Sequence, residues 1–247
     1  MKTHIGLAML LVACLLCACS AVPASLSPVK GSGHSINEWR EVSGITSVSL
    51  GTIGELYISL GSQESLRVEA EDNIVPYLET KVAGGELKID AKANSSISPT
   101  MPVRYFLTVK ELESVQNGSV GTITVTDSGL NADRFTISVG STGNVTLVGL
   151  RANSVEVRIS SVGDVEIHNG LITYQKVVIS STGSYKAGNA HSKDAVVDIN
   201  STGSATVWVD ETLDVTINST GNVSYYGSPK VTSKLTSVGR VIPLREK

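Results

Sequence analysis

Two stretches near the C-terminus have almost the same sequence: VDINSTGSATV spans residues 197–207 and VTINSTGNVSY spans residues 215–225. Both contain Ile-Asn-Ser-Thr-Gly, and they lie 18 residues apart. The triplet Ser-Thr/Val-Gly recurs in seven copies at steps of 22, 20, 20, 20, 18 and 18 residues. The copies begin at Ser119, Ser141, Ser161, Ser181, Ser201, Ser219 and Ser237. A period of about twenty residues predicts a repeat architecture in which each unit stacks on its neighbours.

Apolar residues alternate with polar ones on both sides of each triplet. Around Ser201, Val197 and Ile199 come before the triplet, and Ala205 and Val207 follow it. A period of two on each side predicts a strand, a tight corner and a second strand, with one apolar face directed inward. We expect the glycine at the corner to adopt a positive φ, where a side chain would be strained.

The predicted fold is all-β: a parallel β-helix (β-solenoid), right-handed, with rungs of about 18–22 residues. A unit of this length cannot bury its apolar face alone, whereas stacked units bury a continuous column. Left-handed hexapeptide helices require steps in multiples of six, which the 20-residue steps are not. An antiparallel sandwich is the alternative, although it would not favour identical residues at equivalent positions.

The N-terminal 19 residues have the features of a lipoprotein signal peptide. Lys2 is followed by a 14-residue apolar run that ends in Leu16-Cys17-Ala18-Cys19, a sequence similar to the bacterial lipobox, which makes Cys19 the candidate for lipidation. Lipidation at Cys14 and simple secretion with cleavage after Ala24 are the alternatives. All three cysteines lie in this leader, so the rest of the chain has no disulfide to stabilise it.

The remainder divides into a tether and one solenoid domain. Residues 20–41 are rich in Ser, Pro and Gly and are predicted to form a flexible tether, or a disordered terminus with no role. Residues 42–247 are predicted to form the solenoid, less regular over 42–111 and regular over 112–247.

The segment LRVEAEDNIVPYLETKVAGGELKI (residues 66–89), followed by strand units with Ser-x-Gly corners, resembles the bacterial head-GIN-domain family of auto-transporter adhesins. The resemblance covers residues from about 42 to the C-terminus. It implies a right-handed β-helix similar in shape to pectin-lyase folds, in an exported protein associated with the cell surface. It implies no catalytic residues.

No catalytic motif stands out in the sequence. His-Glu-x-x-His, Gly-x-Ser-x-Gly, the P-loop and the dinucleotide fingerprint are all missing, and no cofactor or metal is expected. The formal charge of −3 is too small to indicate nucleic acid as a partner. The densest acidic group is interpreted as a solvated face; it comprises Asp194, Asp198, Asp210, Glu211 and Asp214.

One outward position, five residues after each corner glycine, carries candidate binding residues. It holds His168, Trp208 and Tyr226, and the last two should lie on adjacent rungs. Exposed stacked aromatic rings can bind a sugar ring or a partner protein. Alternatively, a C-terminal segment covers them as a cap, because the end of a solenoid must be shielded.

The sequence therefore predicts a non-catalytic, exported binding module, anchored in a membrane by lipid at the cell envelope or cell surface, that presents one solenoid face to a polysaccharide or a cell-surface protein. A structural envelope lipoprotein is the first alternative. A polysaccharide-acting enzyme is the second, by analogy of fold alone.

Overall fold

The computed structural model describes residues 27–245. Its N-terminal part contains nine strands and a short 3-10 turn at Val75–Tyr77. The strands are β1 (Val29–Lys30), β2 (Ser35–Arg40), β3 (Ser47–Leu50), β4 (Glu55–Leu60), β5 (Ser65–Glu71), β6 (Leu78–Ala83), β7 (Glu86–Ala91), β8 (Ile97–Ser98) and β9 (Arg104–Val109).

The repeats fold into twelve further strands. They are β10 (Ser114–Asn117), β11 (Thr122–Val125), β12 (Asn131–Val139), β13 (Val145–Leu147), β14 (Leu150–Ile159), β15 (Val165–Ile167), β16 (Gly170–Ile179), β17 (Ser184–Ile199), β18 (Ser204–Ile217), β19 (Asn222–Tyr226), β20 (Lys230–Leu235) and β21 (Arg240–Pro243). From β10 to β19, each strand pairs in parallel with the strand one rung later, as in Val157↔Val177 and Val177↔Val197.

The parallel register confirms the predicted β-solenoid and contradicts the antiparallel sandwich for the repeats. Equivalent apolar residues are opposite one another: Ile159 pairs with Ile179, and Ile179 with Ile199, and all three are fully buried. The core is therefore a continuous column of Val, Ile and Leu side chains along the solenoid axis.

Antiparallel strands close the N-terminal end of this column. β9 pairs in parallel with β4 on one edge and antiparallel with β5 on the other, while β6 and β7 form a hairpin. The less regular sequence before residue 112 thus corresponds to a change in strand direction.

The expected reason for the corner glycines is wrong. None of the seven regular corners, all within the described residues, has a glycine with positive φ; only Gly54, in the earlier irregular copy, does, at 129°. Glycine is required by close packing instead. A Cβ on Gly143 or Gly163 would lie 2.0 or 2.1 Å from the carbonyl oxygen of the corner glycine one rung earlier. The corners stack backbone against backbone.

The predicted tether over 20–41 is wrong for its second half. β2 pairs antiparallel with β5 along its whole length, and β1 pairs with β8. The carboxylate of Glu71, which is fully buried, accepts hydrogen bonds from the backbone of Gly33, Thr100 and Met101. These contacts fix the N-terminal segment to the domain. The Ser- and Gly-rich composition concealed them because Glu71 lies about forty residues further along the chain.

Candidate functional site

Three aromatic rings form a stack across three successive rungs, which we call the aromatic ladder. The ladder consists of His191 on β17, Trp208 on β18 and Tyr226 on β19. The ring centroids of His191 and Trp208 are 3.9 Å apart, and those of Trp208 and Tyr226 are 5.5 Å apart. The planes are inclined by 30° and 24°, so both pairs are stacked. The predicted proximity of Trp208 and Tyr226 is thus present, with a third ring added.

The third ring differs from the one predicted. His168 was expected in this column, but its exposed side chain lies 3.3 Å from Glu166 and does not reach Trp208. His191 stacks on Trp208 instead because the strands shift register: Ala187 pairs with Val207, whereas His191 pairs with Trp208. Counting residues from each corner glycine fails here, since 188–190 have no partners on β18.

Glycine is needed inside this irregular stretch. A Cβ on Gly188 would lie 2.9 Å from Tyr226 Cε2 and 3.1 Å from Thr206 Cγ2, so any larger residue would displace the Tyr226 ring. His168, Gly188 and Tyr226 line one shallow depression of about 210 Å³ on this side of the ladder. His168 is therefore near Tyr226, although it is not in the stack.

A buried chain of hydrogen bonds supports the ladder from the core. Tyr185 Oη donates to Gln175 Oε1 (2.8 Å), and Gln175 Nε2 donates to Ser192 Oγ (2.7 Å). Ser192 Oγ donates in turn to the carbonyl oxygen of Trp208 (2.8 Å). Burial raises the pKa of Tyr185, so its hydroxyl remains a donor. The chain holds the strand of Trp208 against the strand of His191 at the register shift.

Asp210 joins the polar edges of two ladder rings. Trp208 Nε1 donates to Asp210 Oδ1 (3.0 Å), and Asp210 Oδ2 lies 4.0 Å from His191 Nδ1. The indole N–H of Trp208 therefore has a hydrogen-bond partner, and the same carboxylate lies close to the imidazole of His191. The rings of Trp208 and Tyr226 are partly exposed. Residues 230–243 pair with β18 and β19 as a further rung of the solenoid.

A cleft of about 580 Å³ continues from His191 toward the earlier rungs. Its outward column runs Asn131, Arg151, Leu171 and His191, and these residues are successive partners in the sheet. Polar side chains line the other side of the cleft; they are Asp133, Asn153, Thr173, Lys193 and Asp210. Residues such as Ala152 and Ile172 alternate with them and face the core.

Sequence reasoning missed this column, although a signal was present. Arg151, Leu171 and His191 each come eight residues after a corner glycine. The position five residues after the glycine belongs to the ladder only from Trp208 onward, where the return segment is shorter.

Within residues 27–245, no group of three or more His, Cys, Asp or Glu side chains is placed to hold a metal ion. In the acidic cluster, Glu211 pairs with Lys193 at 3.0 Å and Asp194 accepts a hydrogen bond from Thr212. Over the same range, no helix has the length and apolar character required to cross a membrane. Cys14, Cys19 and Ala24 lie outside the described residues.

The molecule is therefore a β-solenoid that carries a partly exposed aromatic ladder beside a polar cleft. The family model "Putative auto-transporter adhesin, head GIN domain" matches residues 45–229, and the chain belongs to this family. A family of adhesins implies an exported or surface-located protein.

Solved structures share the fold. A putative adhesin from Bacteroides fragilis superposes with a TM-score of 0.81 at 22% identity, covering 87% of this chain and all of that one. A putative adhesin from Parabacteroides merdae gives 0.72 at 18% identity, covering 88% and 99%. A putative lipid binding protein from Parabacteroides distasonis gives 0.74 at 20% identity, covering 89% and 100%. No curated protein matches the sequence.

Proposed function

We propose that this chain is an exported, non-catalytic binding module that attaches to polysaccharide through the aromatic ladder and the adjoining cleft. The observation that carries the proposal is the stack of His191, Trp208 and Tyr226, which is partly exposed and lies beside a cleft lined with hydrogen-bonding groups. Sugars offer apolar ring faces and hydroxyl groups, and these two kinds of surface complement both features.

The lining of the cleft favours sugar over lipid. Apart from Leu171, the side chains that point into it are polar or charged, with amide groups at Asn131 and Asn153 and a hydroxyl at Thr173. An acyl chain would leave these groups without partners. The lipid-binding description of one structural neighbour is therefore not extended to this chain.

Membrane attachment through Cys19 completes the proposal. A lipid anchor at the start of the folded domain would hold the binding face close to the cell envelope. This anchoring stays a prediction, because Cys19 lies outside the described residues.

A glycan-array screen with the purified protein tests the binding function. We expect glycan binding in the wild type and at least about a tenfold loss of affinity in Trp208→Ala, since a well-packed aromatic contact contributes about 0.5–1.5 kcal/mol beyond area burial. Trp39→Ala is the matched control, because Trp39 is 69% exposed and lies on β2, away from the ladder.

Four outcomes would contradict the proposal. Absence of glycan binding would remove it, and retained binding in Trp208→Ala would move the site elsewhere. A large drop in melting temperature in Trp208→Ala would indicate a structural role for the ring. Release of new reducing ends from a bound polysaccharide would identify an enzyme.

A further inference from the structure

Almost all charged side chains that line the cleft have a partner within the molecule. The carboxylate of Asp133 accepts a hydrogen bond from Asn153 Nδ2 (2.7 Å), and Lys193 lies 3.0 Å from Glu211. Asp210 is held by Trp208, as described above. These charges are therefore already engaged in the absence of a ligand.

Arg151 is the exception among the charged side chains of the cleft. Its side chain is exposed and makes no hydrogen bond or ion pair with any residue in the described range 27–245. It lies between Asn131 and Leu171 in the outward column and lines the depressions on both sides of that column. A ligand bound along the cleft would meet this guanidinium group without having to displace a protein partner.

The position of Arg151 relative to the ladder sets the geometry of recognition. Arg151 is three rungs from Trp208, a separation of about 14 Å along the axis at the usual strand spacing. A short oligosaccharide lying along the axis would span this distance. One sugar would pack against the exposed side of the ladder while another lies beside Arg151.

We infer that the bound polysaccharide carries an isolated carboxylate, as in a repeat where a uronic acid alternates with neutral sugars, and that Arg151 binds this carboxylate. This inference rests on the proposed function. The planar guanidinium group matches a carboxylate through two parallel N–H···O bonds, a stronger arrangement than bonds between neutral groups.

The other charges in the cleft favour a ligand whose carboxylates are widely spaced along the polymer. Arg151 and Lys193 balance Asp133 and Asp210, so the lining has no net positive charge. A polymer with a carboxylate on every sugar would place anions next to Asp133 and Asp210, which repel them. One carboxylate at Arg151 avoids this repulsion.

Calorimetry with a hyaluronan tetrasaccharide, in which glucuronate alternates with N-acetylglucosamine, tests the inference. The comparison ligand is the same tetrasaccharide after its carboxylates are reduced to alcohols. We expect the acidic form to bind at least about tenfold more tightly to the wild type, because hydrogen bonds to charged groups contribute about 1.5–3 kcal/mol.

The variants separate Arg151 from general electrostatics. Arg151→Gln should lose the preference for the acidic form and keep its affinity for the reduced form, while Arg151→Lys should retain part of the preference. Arg134→Gln is the matched control, since Arg134 is an exposed cation on β12 that does not line the cleft. Its preference should equal that of the wild type.

Several results would overturn the inference. Equal or absent binding of the two tetrasaccharides by the wild type would do so, as would a preference that persists in Arg151→Gln. Equally tight binding of a sulfated tetrasaccharide would contradict a site specific for carboxylates. Tighter binding of oligogalacturonate, which has a carboxylate on every sugar, would contradict the preference for widely spaced carboxylates. If neutral glycans bind on the array in these cases, the proposed function stands; if no glycan binds, the proposed function fails as well.

Discussion

Replacing Gly143 by alanine should destabilise the solenoid far more than replacing Gly140, although both glycines lie at the same corner. A Cβ on Gly143 would lie 2.0 Å from Gly121 O, 2.5 Å from Ser119 O and 2.6 Å from Asn117 Nδ2, whereas ordinary contact begins at 3.4 Å. The nearest oxygen, Gly121 O, would have to move away by about 1.4 Å. The same stretch of backbone accepts a hydrogen bond from the Gly143 N–H at Ser119 O, so this movement would also disturb that bond.

The expected cost is at the upper end of the range for overpacking. Such insertions cost about 1–3 kcal/mol, and here three polar atoms of the neighbouring rung are crowded at once. With a shift of about 2–4 °C per kcal/mol for a domain of this size, the melting temperature should fall by about 6–12 °C. A Cβ added to Gly140 would have no neighbouring atom of the described chain within 4 Å, and Gly140 has no positive φ, so Gly140→Ala should change stability by about 0.5 kcal/mol or less.

Thermal and urea unfolding followed by circular dichroism measure both variants. A Gly143→Ala protein that melts within a degree of the wild type would refute the view that the corners need glycine for close packing. Equal losses in the two variants would instead point to a requirement of the whole corner for backbone flexibility.

Two further predictions concern buried polar groups. Tyr105→Phe should stabilise the protein by about 1 kcal/mol because the buried Tyr105 hydroxyl has no hydrogen-bond partner within residues 27–245. Tyr185→Phe should destabilise it by about 1–3 kcal/mol because Gln175 Oε1 loses its donor; urea unfolding compares the two variants, and equal effects would contradict the difference in hydrogen bonding. Burial alone would raise the pKa of Glu71, but hydrogen bonds, led by that from the Thr100 hydroxyl, outweigh burial and hold the pKa below its ordinary value of 4.5. The stability that Glu71 contributes should therefore be present above pH 4.5 and be lost as the pH falls through the lowered pKa. Unfolding midpoints measured against pH should show this loss in the wild type and a weaker loss in Glu71→Gln. Identical pH profiles of the two proteins would contradict the prediction.

The sequence was sufficient to predict the solenoid because its signal is local and repeated. Alternation around each Ser-Thr/Val-Gly corner specifies which side chains face the core, and the near-constant step fixes the parallel register. The pairing of Trp208 with Tyr226 is predictable by counting residues from the corners. Both lie five residues after a corner glycine, and no irregularity separates them.

Features that depend on distant parts of the chain were not predictable in this way. The N-terminal segment is ordered by Glu71, and His191 enters the ladder only because 188–190 bulge out of register. The role of the corner glycines also depends on the next rung, because the clashing oxygen belongs to a residue about twenty positions away. A single rung contains none of this information.

The register shift between Ala187 and His191 separates two features that a repeat protein normally couples. These are the stacking of the corners and the choice of side chain at each outward position. The segment of β18 that follows Gly203 is shortened there, yet the corners at Gly203 and Gly221 still stack in contact. Insertions or deletions in that segment can thus exchange the side chain that lies on Trp208 without disturbing the corner column. In evolutionary terms, changes in segment length give such a protein a route to new ligand preferences while the part of its sequence that specifies the fold stays constant.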